Sequence, residues 1–201
     1  MAGDRDASIR AAAARPIEAV VIGASAGGFE ALLRLLPPLP AGYRLPIAIV
    51  LHVPDHVESQ LPELFGHRLA VPVREARDKE PIEPGVVYFA PPGYHLLVEA
   101  DRSFSLSGEE RVNFARPAID LLMLTAADAY AAGLCGIVLT GANFDGAAGL
   151  AGIRIAGGLT VVQDPATAEV ATMPAAAIRR MAPDLILPLA DIGALLLALG
   201  A

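Results

Sequence analysis

A chain of 201 residues, 54% hydrophobic and only 18% charged, carries enough apolar side chain for one large core and excludes global disorder. Its formal charge of −7, with Lys79 as the sole lysine and no basic run interleaved with aromatics, argues against a nucleic-acid partner. Cys135 is the only cysteine, which excludes an intrachain disulfide, and no apolar run reaches the roughly 18 residues of a spanning helix, so a cytoplasmic protein without membrane insertion is expected.

The first residues carry Asp4 and Asp6 and lack an apolar stretch, so 1–16 reads as a flexible leader rather than a signal peptide, and 17–201 as one domain. Ala19 to Gly23 is a short buried strand closed by a glycine-rich turn, and Phe29 to Leu36 then has helical spacing ended by Pro37 and Pro38. Ile47 to His52 is a second strand. A helix from Glu58 to Arg68 and a strand from Val71 to Glu75 follow. Gly85 to Phe89, His95 to Glu99 and Ser103 to Ser107 are short segments broken by Pro91, Pro92 and Gly93, which suggests a small antiparallel hairpin insertion. After Pro117 helices alternate with strands at Leu134 to Leu139, Leu159 to Gln163 and Leu185 to Pro188. That alternation predicts an α/β fold: a doubly wound, mainly parallel sheet with helices on both faces.

Such sheets bind and react beyond the carboxyl ends of their strands. The first strand delivers Ser25 within Gly23-Ala24-Ser25-Ala26-Gly27, a G-x-S-x-G turn between strand and helix. The second ends at His52. The strand from Leu134 runs into Thr140-Gly141-Ala142-Asn143-Phe144-Asp145. A serine nucleophile, a histidine base and an orienting aspartate from three strand ends suit acyl transfer, with backbone N–H groups at the helix start facing the oxyanion.

Each part also has a plainer use. A glycine-rich first turn commonly cradles phosphate, although the dinucleotide fingerprint needs glycine at position 25 and favours an acid where His52 stands. No Gly-Lys-Ser/Thr is present for a P-loop. His52 alone suits a strand-end histidine held by backbone, and Asp145 before Gly146 suits a helix N-cap. His56, His67 and His95 read as structural, with His95 a residue for a pocket rim. No His, Cys, Asp and Glu spacing resembles a metal site, and Cys135 reads as buried filler.

Taken together, Ile22 to Gly28, Leu51-His52-Val53-Pro54 and Leu139-Thr140-Gly141 through Asp145-Gly146-Ala147 resemble the catalytic domain of chemotaxis protein-glutamate methylesterases, the CheB type. Gly85 to Gly93 with His95, Arg116-Pro117 with Asp120, Gly157-Gly158, Gln163-Asp164 and Met173-Pro174 extend the likeness from about Ile17 to Leu189. The resemblance implies a methylesterase domain over 17–201. Its expected activity is hydrolysis of glutamyl methyl esters on cytoplasmic helices of chemoreceptors, with glutamine deamidation as a related activity.

By that motif Ser25 is the nucleophile, His52 the general base and Asp145 the orienting acid. Ala26, Thr140, Gly141, Ala142 and Asn143 form the oxyanion and ester pocket, with the Ala142 N–H toward the oxyanion. No cofactor or metal is implied. The family often has threonine where Ala26 stands and commonly reads Thr-Gly-Met-Gly-x-Asp before its aspartate, so Ala26, Ala142 and Asn143 are departures expected to reshape the pocket. A stand-alone domain, with no receiver domain and a separate regulatory protein as a partner, is the corresponding expectation. The alternatives are a binding or adaptor module of the same fold, or an esterase acting on another ester.

Overall fold

The structure, a computed structural model, describes residues 2–52 and 60–201. Seven strands form one parallel sheet: β1 (Ala19–Ala24), β2 (Ile47–Leu51), β3 (Val73–Glu75), β4 (Val87–Phe89), β7 (Leu134–Val138), β8 (Leu159–Gln163) and β9 (Leu185–Leu187). Their order is β3-β4-β2-β1-β7-β8-β9. β5 (His95–Val98) and β6 (Phe104–Ser107) pair antiparallel as a separate hairpin, His95 opposite Ser107.

The predicted insertion is therefore smaller than expected. Gly85 to Phe89 is not part of it: β4 sits inside the parallel sheet, with Val87 opposite Ile47 on one side and Val73 on the other. Three strand residues between Gly85 and Pro91 look like half a hairpin in sequence. In space β4 completes the ladder of β2, a strand far away along the chain.

The central strands are apolar throughout because both their faces are covered. Along β1, Val20, Ile22 and Ala24 point into one core with Leu32, Leu35 and Leu195, while Ala19 and Val21 point into the other with Leu122, Met123 and Phe104. The first core is roofed by α1 (Ala2–Ala13), α2 (Gly28–Leu35), α3 (Leu61–Gly66) and α7 (Leu189–Leu199). The second is roofed by α4 (Ile119–Tyr130), α5 (Ala147–Ile155), α6 (Thr172–Arg180) and the hairpin. Each fully buried Leu or Ile contributes roughly 1.5–3 kcal/mol over exposure, so both layers matter to stability.

Helix α1 lies in the expected leader. Its Ala12 is buried, Ile9 and Ala13 pack on the first core, and Arg5 Nη1 donates to Asp191 Oδ2 at 3.0 Å. Helix α3 starts at Leu61; Val53, Pro54, His56 and Glu58 lie outside the described residues. Among the described residues no helix is long and apolar enough to cross a membrane.

From β1 the sheet extends on one side through β2, β4 and β3, and on the other through β7, β8 and β9. The strand order reverses between β1 and β7. That switch point opens a crevice at the carboxyl ends of those strands, and the residues singled out in the sequence stand around it.

Candidate active site

Ser25 is the first residue past β1, and His52 the first past β2. The two strands are in register with Ala24 opposite Leu51, and the His52 N–H donates to the Ala24 carbonyl at 3.0 Å, so Ser25 and His52 leave the sheet side by side. On the other flank the Ser25 N–H donates to the Thr140 carbonyl at 3.0 Å. Three strand ends are thereby tied together by backbone alone.

The serine turn depends on two glycines. Gly27 caps α2 at φ +74°, and a Cβ there would lie 2.8 Å from the Glu169 Cβ, so both conformation and space demand glycine. Gly141 comes close to the nucleophile itself: a Cβ at Gly141 would be 2.9 Å from the Ser25 Cβ and 2.6 Å from Met173 Cε. Any side chain at Gly141 would push the serine out of its turn.

Asp145 is fully buried and held by five donors. Oδ2 accepts from His52 Nε2 at 3.0 Å and from the Ile119 N–H at 2.7 Å. Oδ1 accepts from Asn113 Nδ2 at 3.0 Å, the Asp120 N–H at 3.0 Å and the Gly146 N–H at 3.1 Å. Ile119 and Asp120 open α4, so the positive end of that helix faces the carboxylate. Burial alone would raise the Asp145 carboxyl. The hydrogen bonds from His52, Asn113, Ile119 and Asp120 outweigh it and hold the group below the ordinary carboxylate range.

An ionised carboxylate only accepts, so the His52 Nε2 carries the proton in that contact and Nδ1 is left as the basic nitrogen. Asn143 addresses that nitrogen: its Nδ2 lies 3.2 Å from His52 Nδ1, while its Oδ1 accepts the Asp145 N–H at 3.1 Å. Among the described residues Ser25 Oγ makes no side-chain hydrogen bond to His52.

The other expected pocket residues divide. Thr140 Oγ1 donates to the Ala26 carbonyl and accepts the Val170 N–H, each at 2.9 Å, and the Gly141 N–H donates to the Val170 carbonyl at 3.0 Å. These groups lock the loop in place. The N–H groups of Ala26 and Ala142 donate to no protein acceptor among the described residues, and both residues are exposed at the crevice.

Three residues that the sequence reading left unassigned shape the site. Asn113 Nδ2 bridges the two carboxylates, 2.7 Å from Asp120 Oδ2 and 3.0 Å from Asp145 Oδ1. It sits at φ +53°, a conformation asparagine tolerates better than most residues, and that is the only local signal it gives. Asp120 accepts the Gly149 N–H at 2.7 Å; burial, opposed by that bond and reinforced by the charge of Asp145, leaves its carboxyl raised. Gln163, the last residue of β8, receives the Thr140 N–H on Oε1 at 2.9 Å.

His95 does not line a pocket rim. It is fully buried, accepts the Ala118 N–H on Nδ1 at 3.1 Å and donates from Nε2 to the Glu110 carbonyl at 3.0 Å, pinning the loop that carries Asn113. Beside the site a cleft of about 410 Å³ is lined by Asn113, Phe144, Ala147, Ala176, Arg179 and Arg180. Phe114 and Phe144 project nearby, 89% and 54% exposed. Among the described residues no group of three or more His, Cys, Asp or Glu side chains is placed to hold a metal ion.

A doubly wound parallel sheet with a serine turn and a histidine–aspartate pair at its switch point defines an α/β protein with the layout of a hydrolase. The chain belongs to the CheB methylesterase family, whose model matches residues 20–196. A relative from Leptospira interrogans is 48% identical over 182 residues, which span 90% of this chain and 94% of that protein. A protein-glutamate methylesterase/protein-glutamine glutaminase 2 from Anaeromyxobacter dehalogenans is 42% identical across 94% of this chain, which covers 54% of that longer protein. The Thermotoga maritima CheB methylesterase catalytic domain superposes with a TM-score of 0.86 at 33% identity, covering 90% of this chain and 97% of that one.

Proposed function

We propose that this chain hydrolyses the methyl esters of glutamate side chains in chemoreceptor proteins, with Ser25 as nucleophile, His52 as general base and Asp145 as the carboxylate that orients it. The observation that carries this reading is the 3.0 Å contact of His52 Nε2 with the buried Asp145, made at the strand end adjacent to Ser25. It fixes the tautomer in which Nδ1 is free of a proton, the state a general base needs.

In the proposed reaction Nδ1 takes the Ser25 proton as Oγ attacks the ester carbonyl. The N–H groups of Ala26 and Ala142 face the developing oxyanion. Collapse breaks the carbon–methoxy bond, the imidazolium returns the proton, and methanol leaves. Water, deprotonated by the same nitrogen, then splits the acyl-serine into glutamate and free Ser25. Glutamine enters the same cycle with ammonia as the leaving group, consistent with the double name of the relatives. In this reading the catalytic domain spans 17–201 and works in the cytoplasm on methylated receptor helices.

The test is methanol release from a methylated receptor fragment. Wild-type protein releases methanol and Ser25→Ala does not; equal release by the two proteins rejects the assignment.

A further inference from the structure

The same geometry that prepares His52 also blocks it. The Asp145 N–H can only donate, so the Asn143 atom that meets it at 3.1 Å is the amide oxygen, and the atom 3.2 Å from His52 Nδ1 is the NH₂ group. With the Nε2 proton directed to the ionised Asp145, Nδ1 presents a single in-plane lone pair, and Asn143 fills it. Accepting the Ser25 hydroxyl proton requires that same lone pair. The two hydrogen bonds exclude one another.

We infer that Asn143 is a positioning residue that caps the general base: it holds His52 in the productive tautomer at rest and must turn away before Ser25 can be activated. This inference rests on the triad reading above. The anchoring is light enough for such a motion. Asn143 is half-buried, between exposed Ala142 and exposed Phe144, and the Asp145 N–H is the one backbone donor that orients its amide among the described residues. Rotation of the side chain releases both bonds while leaving the Asp145 carboxylate with its five donors. A neutral hydrogen bond of this kind corresponds to roughly 2–10-fold in rate, so the cap tunes the site rather than silencing it.

The test compares wild type with Asn143→Gly and Asn143→Ser. Both remove the donor to His52, and the serine hydroxyl keeps an acceptor for the Asp145 N–H, which guards against a collapsed loop. Two readouts are taken: the rate constant for phosphonylation of Ser25 by a fluorophosphonate, in which Oγ attacks phosphorus and fluoride leaves, and the ¹⁵N resonance of His52 Nδ1, assigned by its loss in His52→Gln. Expected are a roughly 2–10-fold faster phosphonylation in both variants and a displaced Nδ1 resonance, with the Nε2 resonance held in place by Asp145. Phosphonylation at or below the wild-type rate in both variants, with Nδ1 unmoved, overturns the cap. If Ser25 is phosphonylated in none of the proteins, the hydrolase assignment falls instead, and an unmoved Nδ1 resonance then overturns the cap independently.

Discussion

Asp145 is where sequence and chemistry meet most tightly. Five donors converge on one carboxylate with no solvent access, and three of them come from backbone N–H groups whose positions the fold dictates. Replacing it by asparagine keeps the shape but turns an NH₂ toward one of those donors or toward His52, which favours the wrong tautomer. Asp145→Asn should therefore lower kcat for ester hydrolysis by about 10³–10⁴-fold, with KM little changed; a loss under tenfold would contradict the orienting role.

The same residue predicts an acid dependence of stability. Its folded pKa is depressed, so its contribution is present above the unfolded value of about 3.9 and is lost as pH falls through the lower folded value. Asp120 is shifted the other way, so its protonation on acidification relieves repulsion with Asp145. Urea unfolding between pH 6 and pH 2 should show wild type losing stability below about pH 4, with a shallower loss in Asp145→Asn. Identical slopes would contradict the account.

At the scale of elements, the site is a set of strand ends held by their neighbours. The G-x-S-x-G turn and His52 were legible in the sequence because strand-to-helix turns announce themselves by apolar runs ending at glycine. Asn113 was not legible: it lies in a loop without periodicity, 32 residues before the carboxylate it serves. β4 was misplaced for a related reason, since three residues near Pro91 give no signal of a distant parallel partner. The hairpin and the following loop are coupled to the site through His95, whose two ring nitrogens satisfy the Ala118 N–H and the Glu110 carbonyl. His95→Ala should cost about 2–4 kcal/mol in urea unfolding and should also slow ester hydrolysis by loosening Asn113. Full activity with lost stability would separate the hairpin from the site.

At the scale of the whole molecule, alternation of helix and strand announced the doubly wound sheet, and the reversal of strand order on either side of β1 fixed where chemistry would gather. What the sequence left open was side-chain pairing across that crevice, such as the approach of Asn143 to His52, because such contacts depend on rotamers rather than on pattern. The two cores flanking the sheet also seal Cys135, which is fully buried on β7 with its thiol pushed up to about 12 by burial. Native protein at pH 8 should resist iodoacetamide, and denatured protein should take up one equivalent; rapid native labelling would show that the sheet opens far more readily than its packing implies.

The claim on which everything else rests is that Ser25, His52 and Asp145 act as one ester-cleaving unit. The most direct measurement is the location of the covalent adduct after treatment of native protein with a fluorophosphonate, mapped by peptide mass spectrometry in wild type and His52→Ala. A single adduct on Ser25 that disappears with His52 is the predicted result. An adduct at another residue, or undiminished labelling of Ser25 without His52, would contradict it.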